Sequence, residues 1–182
     1  MRAFIAIDFP EAIHMALANV QQRLRKVAPE ARWTRPEGIH LTLKLLGQIS
    51  DAQTERVLEE LAQLGAFTPF PVEVQGFGFF PDARRPRVFW AGVKAPEALA
   101  QLATRVETAM EKLGFARENR AFSPHLTLAR FQVPGPQPAL ESALEKLGAV
   151  SIGQFEASEF FLFESKLSPH GSQYRKVMGF PR

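Results

Sequence analysis

The sequence predicts an α+β fold of two pseudo-symmetric lobes, each an antiparallel-type sheet with flanking helices, and an active cleft between the lobes. Two observations predict it. The tetrapeptide His-Leu-Thr-Leu occurs twice, at 40–43 and 125–128, and the segments around the two copies correspond at an offset of 85 or 86 residues. The 182 residues are therefore expected to form a single bilobal domain with an internal repeat over approximately 1–83 and 84–182.

Each half opens with a short buried strand that leads into a helix. Phe4-Ile5-Ala6 in the first half corresponds to Phe89-Trp90-Ala91 in the second. A proline, Pro10 or Pro96, follows each strand and suits the first turn of a helix. The apolar residues after each proline keep the three-and-four spacing of one helical face. They are Ile13, Leu17, Val20, Leu24 and Val27 in the first half and Leu99, Leu102, Val106, Met110 and Leu113 in the second.

A second helix is predicted after each His-Leu-Thr-Leu segment. The first begins with the capping-box sequence Ser50-Asp51-Ala52-Gln53, and the second ends at Gly148. Strand-like segments over 70–76, 152–163 and 173–180 complete the two halves. Each half thus follows the order strand, helix, strand, helix, strand, with extra strands.

The repeated tetrapeptide alternates polar and apolar residues, which is the period of a half-buried strand. His40 and Thr42 therefore share one face in the first copy, and His125 and Thr127 share one face in the second. Two such strands around one cleft supply an acid, a base and two hydroxyl groups. That set suits chemistry on a phosphate, because imidazoles move protons while hydroxyls bind non-bridging oxygens.

Other kinds of site match the pattern less well. A metal site is disfavoured because the partner two residues after each histidine is a threonine, a poor ligand for most transition metals, and no same-face carboxylate is near. A Ser-His-Asp triad needs one nucleophile and one base, which a duplicated His-Thr pattern does not resemble. Acid–base catalysis by two histidines remains, with no metal and no cofactor expected.

The composition indicates a cytoplasmic protein without membrane association or an obligatory protein partner. No apolar run approaches the roughly 20 residues of a membrane helix. The absence of cysteine excludes disulfides and thiolate zinc sites. The net charge of +3 favours an anionic partner. The densest basic segment, 82–87, fits either a solvated turn between strands or an RNA-backbone contact.

The chain resembles the two-histidine phosphoesterases, which carry two H-x-T-x motifs on a duplicated scaffold. Within them it is similar to the bacterial and archaeal RNA 2′,3′-cyclic phosphodiesterases, also called 2′-5′ RNA ligases. The resemblance rests on R-A-F-I-A-I-D at the start, W-T-R-P-E-G-I-H-L-T-L-K-L-L-G, S-P-H-L-T-L-A-R and the closing L-S-P-H-G-S-Q-Y. It extends over essentially the whole chain.

The resemblance implies a phosphoesterase domain that hydrolyses RNA 2′,3′-cyclic phosphate ends to 2′-phosphomonoesters without metal or nucleotide. It also implies a reversible, ATP-independent 2′-5′ ligation. By the resemblance, His40 is the proton donor to the leaving 3′-oxygen and His125 is the base that activates water. Thr42 and Thr127 are the hydroxyls that hold the phosphate.

Two further substrate-binding residues are expected, Arg130 and Tyr174. Arg130 suits bidentate phosphate binding, but strand alternation puts it on the face opposite His125, so it reaches the cleft only if the strand bends or ends there. Tyr174 is the only tyrosine; it is either a base-stacking or phosphate-binding residue or an aromatic at the core edge. Lys44 shares the face of His40, which leaves open a cleft-facing or a solvated position.

The remaining histidines, His14 and His170, are expected at the helix surface and in a turn. The ordinary histidine pKa of about 6.5 predicts a bell-shaped pH profile with both limbs between about pH 5 and 8. Two rival functions stay open, namely a phosphodiesterase for small cyclic nucleotides or 2′-5′ oligonucleotides, and a non-catalytic RNA-binding protein. Binding alone does not require two matched imidazoles, which disfavours the second rival.

Overall fold

A computed structural model describes residues 1–182, with nine strands, four α-helices and one 3₁₀ turn. The strands are β1 (Arg2–Ile7), β2 (Arg32–Trp33), β3 (Leu41–Gln48), β4 (Phe70–Phe80), β5 (Val88–Lys94), β6 (His125–Arg130), β7 (Ser151–Ala157), β8 (Phe160–Ser168) and β9 (Gly171–Phe180). The helices are α1 (Glu11–Arg25), α2 (Asp51–Gln63), α3 (Glu97–Lys112) and α4 (Pro138–Leu147), and the 3₁₀ turn is Pro36–Gly38.

Two antiparallel sheets form the two lobes. Sheet A has four strands in the order β3-β1-β8-β9, and sheet B has five strands in the order β2-β6-β5-β4-β7. Every neighbouring pair in both sheets is antiparallel. The predicted α+β class, with two lobes built on antiparallel sheets, is confirmed.

Each sheet takes strands from both halves of the sequence. β4 comes from the first half and lies in sheet B beside β5, whereas β8 and β9 come from the second half and lie in sheet A beside β1. In the pseudo-symmetric arrangement, β3 and β1 correspond to β6 and β5, and the exchanged strands β8 and β4 take equivalent places. The division of one bilobal domain into repeats over about 1–83 and 84–182 stays a prediction.

The helix ends agree with the local signals in the sequence. Ser50 Oγ accepts a hydrogen bond from the Gln53 backbone at 3.1 Å, and Gln53 Oε1 accepts one from the Ser50 backbone at 2.9 Å, which is the predicted capping box. α4 ends before Gly148, whose φ of 69° lies in the left-handed region that glycine adopts readily. The predicted strand 152–163 is two strands, because the chain leaves sheet B after Ala157 and enters sheet A.

One continuous hydrophobic core of 37 buried residues joins the two lobes. It contains residues from the inner faces of both sheets, such as Ile5 and Phe160 in sheet A and Phe89 and Leu126 in sheet B. The motif histidines and threonines are not part of this core. None of the helices is both long and apolar enough to cross a bilayer.

Candidate active site

The first His-Leu-Thr-Leu strand contains a β-bulge directly after its threonine. In β3, Leu43 is the extra residue between the pairs Thr42–Ala6 and Lys44–Ile5. An extra residue in one strand interrupts the ladder and reverses the alternation of side chains beyond it. The faces that simple alternation predicts are therefore valid only up to the threonine.

The second motif has the same irregularity 85 residues later. In β6, Leu128 is the extra residue between the pairs Thr127–Trp90 and Ala129–Phe89. The equivalent bulges show that the correspondence of the two motifs includes their backbone conformation. Both motifs hold a histidine and a threonine on one face up to the bulge, as the sequence predicts.

The bulges correct two expectations that followed from strand alternation. Arg130 lies beyond the bulge and returns to the exposed face of β6 that carries His125 and Thr127, rather than the opposite face. Lys44 turns to the buried side of β3, so the solvated alternative is wrong, but it lines the same cavity as Thr42, His125 and Thr127. Its side chain is 2% exposed, and Nζ lies 2.5 Å from Glu107 Oε1 on α3.

His125 is exposed at the start of β6, and a backbone carbonyl orients its ring. Nδ1 lies 2.9 Å from the Ser123 carbonyl oxygen. Because a carbonyl oxygen only accepts hydrogen bonds, Nδ1 carries the proton in the neutral ring. Nε2 then keeps its free lone pair, so neutral His125 is prepared to accept a proton there.

His40 lies in a nearly closed aromatic environment. Its ring centroid is 4.5 Å from Phe163, 5.3 Å from Tyr174 and 5.5 Å from Phe4, and its side chain is 5% exposed. Burial lowers the pKa of His40 to about 4, although the Asp8 carboxylate acts in the opposite direction. His40 is therefore neutral at pH 7 in the free protein, and its pKa lies below the near-neutral range predicted from the sequence.

Asp8 follows β1 and binds two cations beside His40. Its carboxylate lies 2.8 Å from Lys176 Nζ, 3.0 Å from His14 Nε2 and 3.9 Å from His40 Nε2. His14 Nδ1 also lies 2.9 Å from the Pro36 carbonyl oxygen. Since a carboxylate and a carbonyl both accept, His14 satisfies the two contacts only with both nitrogens protonated and a positive charge.

These contacts shift the pKa values of Asp8 and His14 in opposite directions. Burial alone would raise the pKa of Asp8, but hydrogen bonds from His14 and Lys176 outweigh it and hold that pKa well below its usual range. The hydrogen bond to Asp8 raises the pKa of His14. The expectation that His14 is a plain surface residue is wrong, and Asp8 was missed. The available signal in the sequence was that Asp8 directly follows the first apolar strand segment, Phe4 to Ile7.

Thr42 connects the two motifs in space. One cavity, of about 690 Å³, is lined by Thr42, His125 and Thr127 together with the loop before β6. A second cavity, of about 260 Å³, is lined by Thr42, His40 and Tyr174. The structure therefore brings both histidines, both threonines and the tyrosine onto two cavities that share Thr42 and Leu45.

Tyr174 lines one of the two cavities, whereas Arg130 lies outside both. Tyr174 is 36% exposed and forms a T-shaped pair with the His40 ring, so it lies at the site and is not enclosed in the core. Arg130 shares a face with His125 but lines neither cavity. His170 lies in the exposed turn between β8 and β9, as the sequence predicts.

The side chains that meet at the two cavities are suited to moving protons and binding anionic oxygens. Two imidazoles can act as acid and base, and two hydroxyls can donate hydrogen bonds. No group of three or more histidine, aspartate or glutamate side chains is arranged to hold a metal ion.

Comparison with known proteins matches the chain to one family over most of its length. Residues 9–167 match the model of the 2′-5′ RNA ligase superfamily. The RNA 2′,3′-cyclic phosphodiesterase of Archaeoglobus fulgidus is 33% identical over 180 residues, which cover 99% of both chains. That of Methanothermobacter thermautotrophicus is 31% identical over 175 residues, 96% of this chain and 95% of the relative. The crystal structure of TT0787 from Thermus thermophilus has a TM-score of 0.80 and 29% identity, covering 99% of this chain and 97% of that one.

Proposed function

The chain belongs to the 2′-5′ RNA ligase superfamily, and on that premise we propose that it hydrolyses the 2′,3′-cyclic phosphate at an RNA end to a 2′-phosphomonoester. The observation that supports this most is the pair of complete His-x-Thr motifs, on equivalently bulged strands, at cavities that share Thr42. Reversible, ATP-independent 2′-5′ ligation is part of the proposal, because a 5′-hydroxyl that replaces the water attacks phosphorus and breaks the same P–O3′ bond with the same two proton transfers, and attack of that 3′-hydroxyl on the 2′-5′ linkage reverses the step.

In the proposed reaction, a water molecule attacks phosphorus and the P–O3′ bond breaks. One histidine takes the proton of the water, and the other gives a proton to the leaving 3′-oxygen. We assign the base to His125, because the Ser123 carbonyl leaves its Nε2 free to accept. His40 is then the proton donor, as the family resemblance implies.

Because the pKa of His40 is low, its protonated form is a strong acid, but few free molecules carry that proton at neutral pH. With a pKa of about 4, roughly one free molecule in a thousand carries the charge at pH 7. The negative charge of a bound cyclic phosphate favours the protonated form of a nearby histidine. Substrate binding is thus proposed to charge His40. The exchanged assignment, with neutral His40 as the base, is the alternative that the low pKa favours.

The remaining site residues are proposed to bind the substrate. Thr42 and Thr127 donate hydrogen bonds to the non-bridging oxygens of the phosphate and hold it in line for displacement. Tyr174, beside His40, binds the nucleotide at the cavity rim. Arg130, beyond the second bulge, binds phosphate from the face of His125.

We propose that catalysis uses neither a metal nor a nucleotide cofactor, because the two hydroxyls at the site are poor ligands for most transition metals. The proposed partner is RNA, with no membrane and no obligatory protein partner. A cytoplasmic location remains a proposal as well.

A panel of nucleic-acid ends tests the function. The purified chain is assayed in excess EDTA and without ATP on four substrates: a decamer RNA ending in a 2′,3′-cyclic phosphate, the same RNA ending in a 3′-phosphate, a 2′,3′-cyclic mononucleotide and a 2′-5′-linked oligonucleotide. We expect a 2′-phosphomonoester from the first substrate and no reaction of the second.

The other outcomes identify the rivals. Turnover restricted to the mononucleotide or the 2′-5′ linkage would favour the phosphodiesterase for those substrates. Binding of RNA without any turnover would favour a non-catalytic protein. Activity that is lost in EDTA and restored by one divalent ion would overturn the metal-free mechanism.

A further inference from the structure

The open face of sheet B continues from His125 toward the β4–β5 turn in three rows of facing residues. Residues directly opposite each other in an antiparallel pair share a face, and so do alternate residues along a strand. Once the bulge after Thr127 is included, the strand pairs of sheet B show which residues lie on the open face. The rows are His125–Gly92, then Thr127–Trp90–Gly78, then Arg32–Arg130–Val88–Phe80.

Trp90, in the middle row, lies flat on the neighbouring strand. A Cβ atom on Gly78 would lie 2.1 Å from Cζ2 of Trp90, so the indole fills the space that any other side chain there would need. The ring is half-buried, and its centroid is 6.2 Å from that of His125. A fixed aromatic ring beside a catalytic histidine suits stacking with a nucleobase, since every base has a π-face.

The last row and the adjoining turn carry a cluster of unpaired arginines. Five of them are exposed and form no salt bridge with a carboxylate. They are Arg32 and Arg130, which face each other across β2 and β6, and Arg84, Arg85 and Arg87 in the turn. We call Trp90 and these five residues the arginine track.

The turn holds its arginines in place through backbone contacts. The carboxylate of Asp82 accepts hydrogen bonds from the backbone N–H groups of Arg84 at 2.8 Å and Arg85 at 3.2 Å. The Arg87 backbone donates to the Phe80 carbonyl at 2.8 Å and accepts from Phe131 at 2.9 Å. Asp82 therefore organises the turn by its backbone contacts, and the guanidinium groups stay free.

Uncompensated positive charges in one region repel each other in the free protein and attract a polyanion. Guanidinium groups match the geometry of phosphate oxygens, and the flexible backbone of RNA offers a phosphate at every nucleotide. From the row of His125 to the row of Arg130 the face extends about 13 Å, at roughly 3.3 Å per strand residue. The arginine track therefore reaches well beyond the cavity that holds the reacting phosphate.

We propose that the arginine track binds the RNA strand that precedes the cyclic phosphate, with Trp90 stacked on a base and the arginines on backbone phosphates. The inference rests on the proposed function and narrows its substrate to a single-stranded RNA end of several nucleotides. A small cyclic nucleotide has no phosphates to occupy the track. Duplex RNA would keep its bases paired and unavailable to Trp90.

The test compares two substrates and two matched variants. The measured quantity is the ratio of kcat/KM for the cyclic-phosphate decamer to kcat/KM for the cyclic mononucleotide. We expect the triple variant Arg84→Gln/Arg85→Gln/Arg87→Gln to lower this ratio at least tenfold. The control Arg23→Gln/Arg25→Gln/Lys26→Gln removes the same charge from the end of α1 and is expected to keep the wild-type ratio.

Salt dependence and Trp90 provide further readouts. Loss of three phosphate contacts should reduce the slope of log(kcat/KM) against log[salt] for the decamer by about 2. Trp90→Leu should lower the substrate ratio roughly five- to hundredfold, as expected for one stacked base, whereas Trp90→Phe should keep most of it. Circular dichroism and thermal melting identify a variant that has lost its fold. If Trp90→Leu does not fold, the substrate ratio of the triple arginine variant decides the outcome.

The outcomes separate the two proposals. A wild-type ratio near one, or arginine variants that slow both substrates equally, would overturn the arginine track while leaving the phosphodiesterase in place. If the wild type turns over neither substrate, the proposed function fails, and the affinity for a decamer ending in a 2′-phosphate tests the track by itself. Weaker binding by the track variant alone would support the track, and equal binding by both variants would overturn it.

Discussion

The two His-Leu-Thr-Leu motifs have the same sequence and the same bulge, but their histidines have different surroundings. His40 is enclosed by aromatic rings next to the Asp8–His14 pair, whereas His125 is exposed and oriented by a backbone carbonyl. The residues 85 positions after Asp8 and His14 are Val93 and Leu99, so the second motif has no equivalent pair. Duplication supplies two histidines, and the neighbouring elements make them chemically different.

The open faces of the two lobes differ in a similar way. On sheet A three of the positive side chains are paired, Lys176 with Asp8 and both Lys166 and Arg175 with Glu164, while Arg2 forms no salt bridge. On sheet B the arginine track has no carboxylate partners. The lobe that encloses His40 therefore controls the protonation of that histidine, whereas the lobe that carries His125 is the one we propose to attract an anionic strand.

Removing either histidine should have the largest effect. We expect His40→Ala and His125→Ala each to lower kcat by roughly 10²–10⁴-fold on cyclic-phosphate RNA, because each removes one of the two proton transfers. His170→Ala, in the exposed turn, is the control and should retain wild-type kcat. A folded single variant of the motif with near-normal kcat would rule out the two-histidine mechanism.

A sulfur leaving group should distinguish the two histidines. When sulfur replaces the 3′-oxygen, the departing thiolate needs little protonation, so a variant that lacks the acid should recover most of its loss. We expect the sulfur substrate to restore most of the rate of His40→Ala and none of the rate of His125→Ala. The measurement is the rate ratio of the sulfur and oxygen substrates for each variant. Recovery of His125→Ala alone would exchange the two roles.

Smaller effects are expected from the residues proposed to hold the substrate. Arg130→Ala should raise KM by roughly 10- to 100-fold, as for the loss of a charge-assisted hydrogen bond, and Tyr174→Phe by roughly two- to tenfold. Steady-state kinetics with Arg23→Ala as the control separates KM from kcat. If both variants behave like the wild type, substrate binding is restricted to the four motif residues and the track residues other than Arg130.

The smallest expected effect concerns pH. In the wild type, the acid limb of kcat/KM should lie near pH 4, where free His40 titrates. Asp8→Asn removes a carboxylate that raises the pKa of His40, so the limb should move to lower pH. The same change removes the hydrogen bond that raises the pKa of His14, whose charge lowers the pKa of His40, but the effect of Asp8 on His40 is the larger one. NMR titration of the His40 ring checks the direction, and a limb that stays or moves upward would contradict the role of Asp8.

The elements that local sequence determines were the ones predicted correctly. The proline-led helices, the Ser50 capping box and the end of α4 at Gly148 depend on neighbours a few residues away. The exchange of β4 and β8 between the sheets was not predicted, because strand composition specifies burial and not the partner strand. The break between β7 and β8 follows from that exchange and was missed for the same reason.

The site was predictable up to the bulges and not beyond them. Leu43 and Leu128 are ordinary strand residues, so nothing in the sequence marks them as the extra positions that turn Lys44 inward and Arg130 outward. The pairing of Asp8 with His14 depends on how α1 returns past the end of β1. The low pKa of His40 likewise results from burial by β8 and β9, which lie more than 100 residues away in the chain.

The exchange of strands between the sheets also determines at which point of synthesis the protein can complete its fold. β1 is among the first segments to leave the ribosome, yet one of its two neighbours in sheet A, β8, begins only at Phe160. Until then the apolar strand that carries Ile5 keeps an unpaired edge, which is a hazard for association with other chains. Pairings between such distant segments make folding slow. A chain that stops before β8 therefore contains both motif histidines and Phe4 but lacks Phe163 and Tyr174, two of the three aromatic rings around His40.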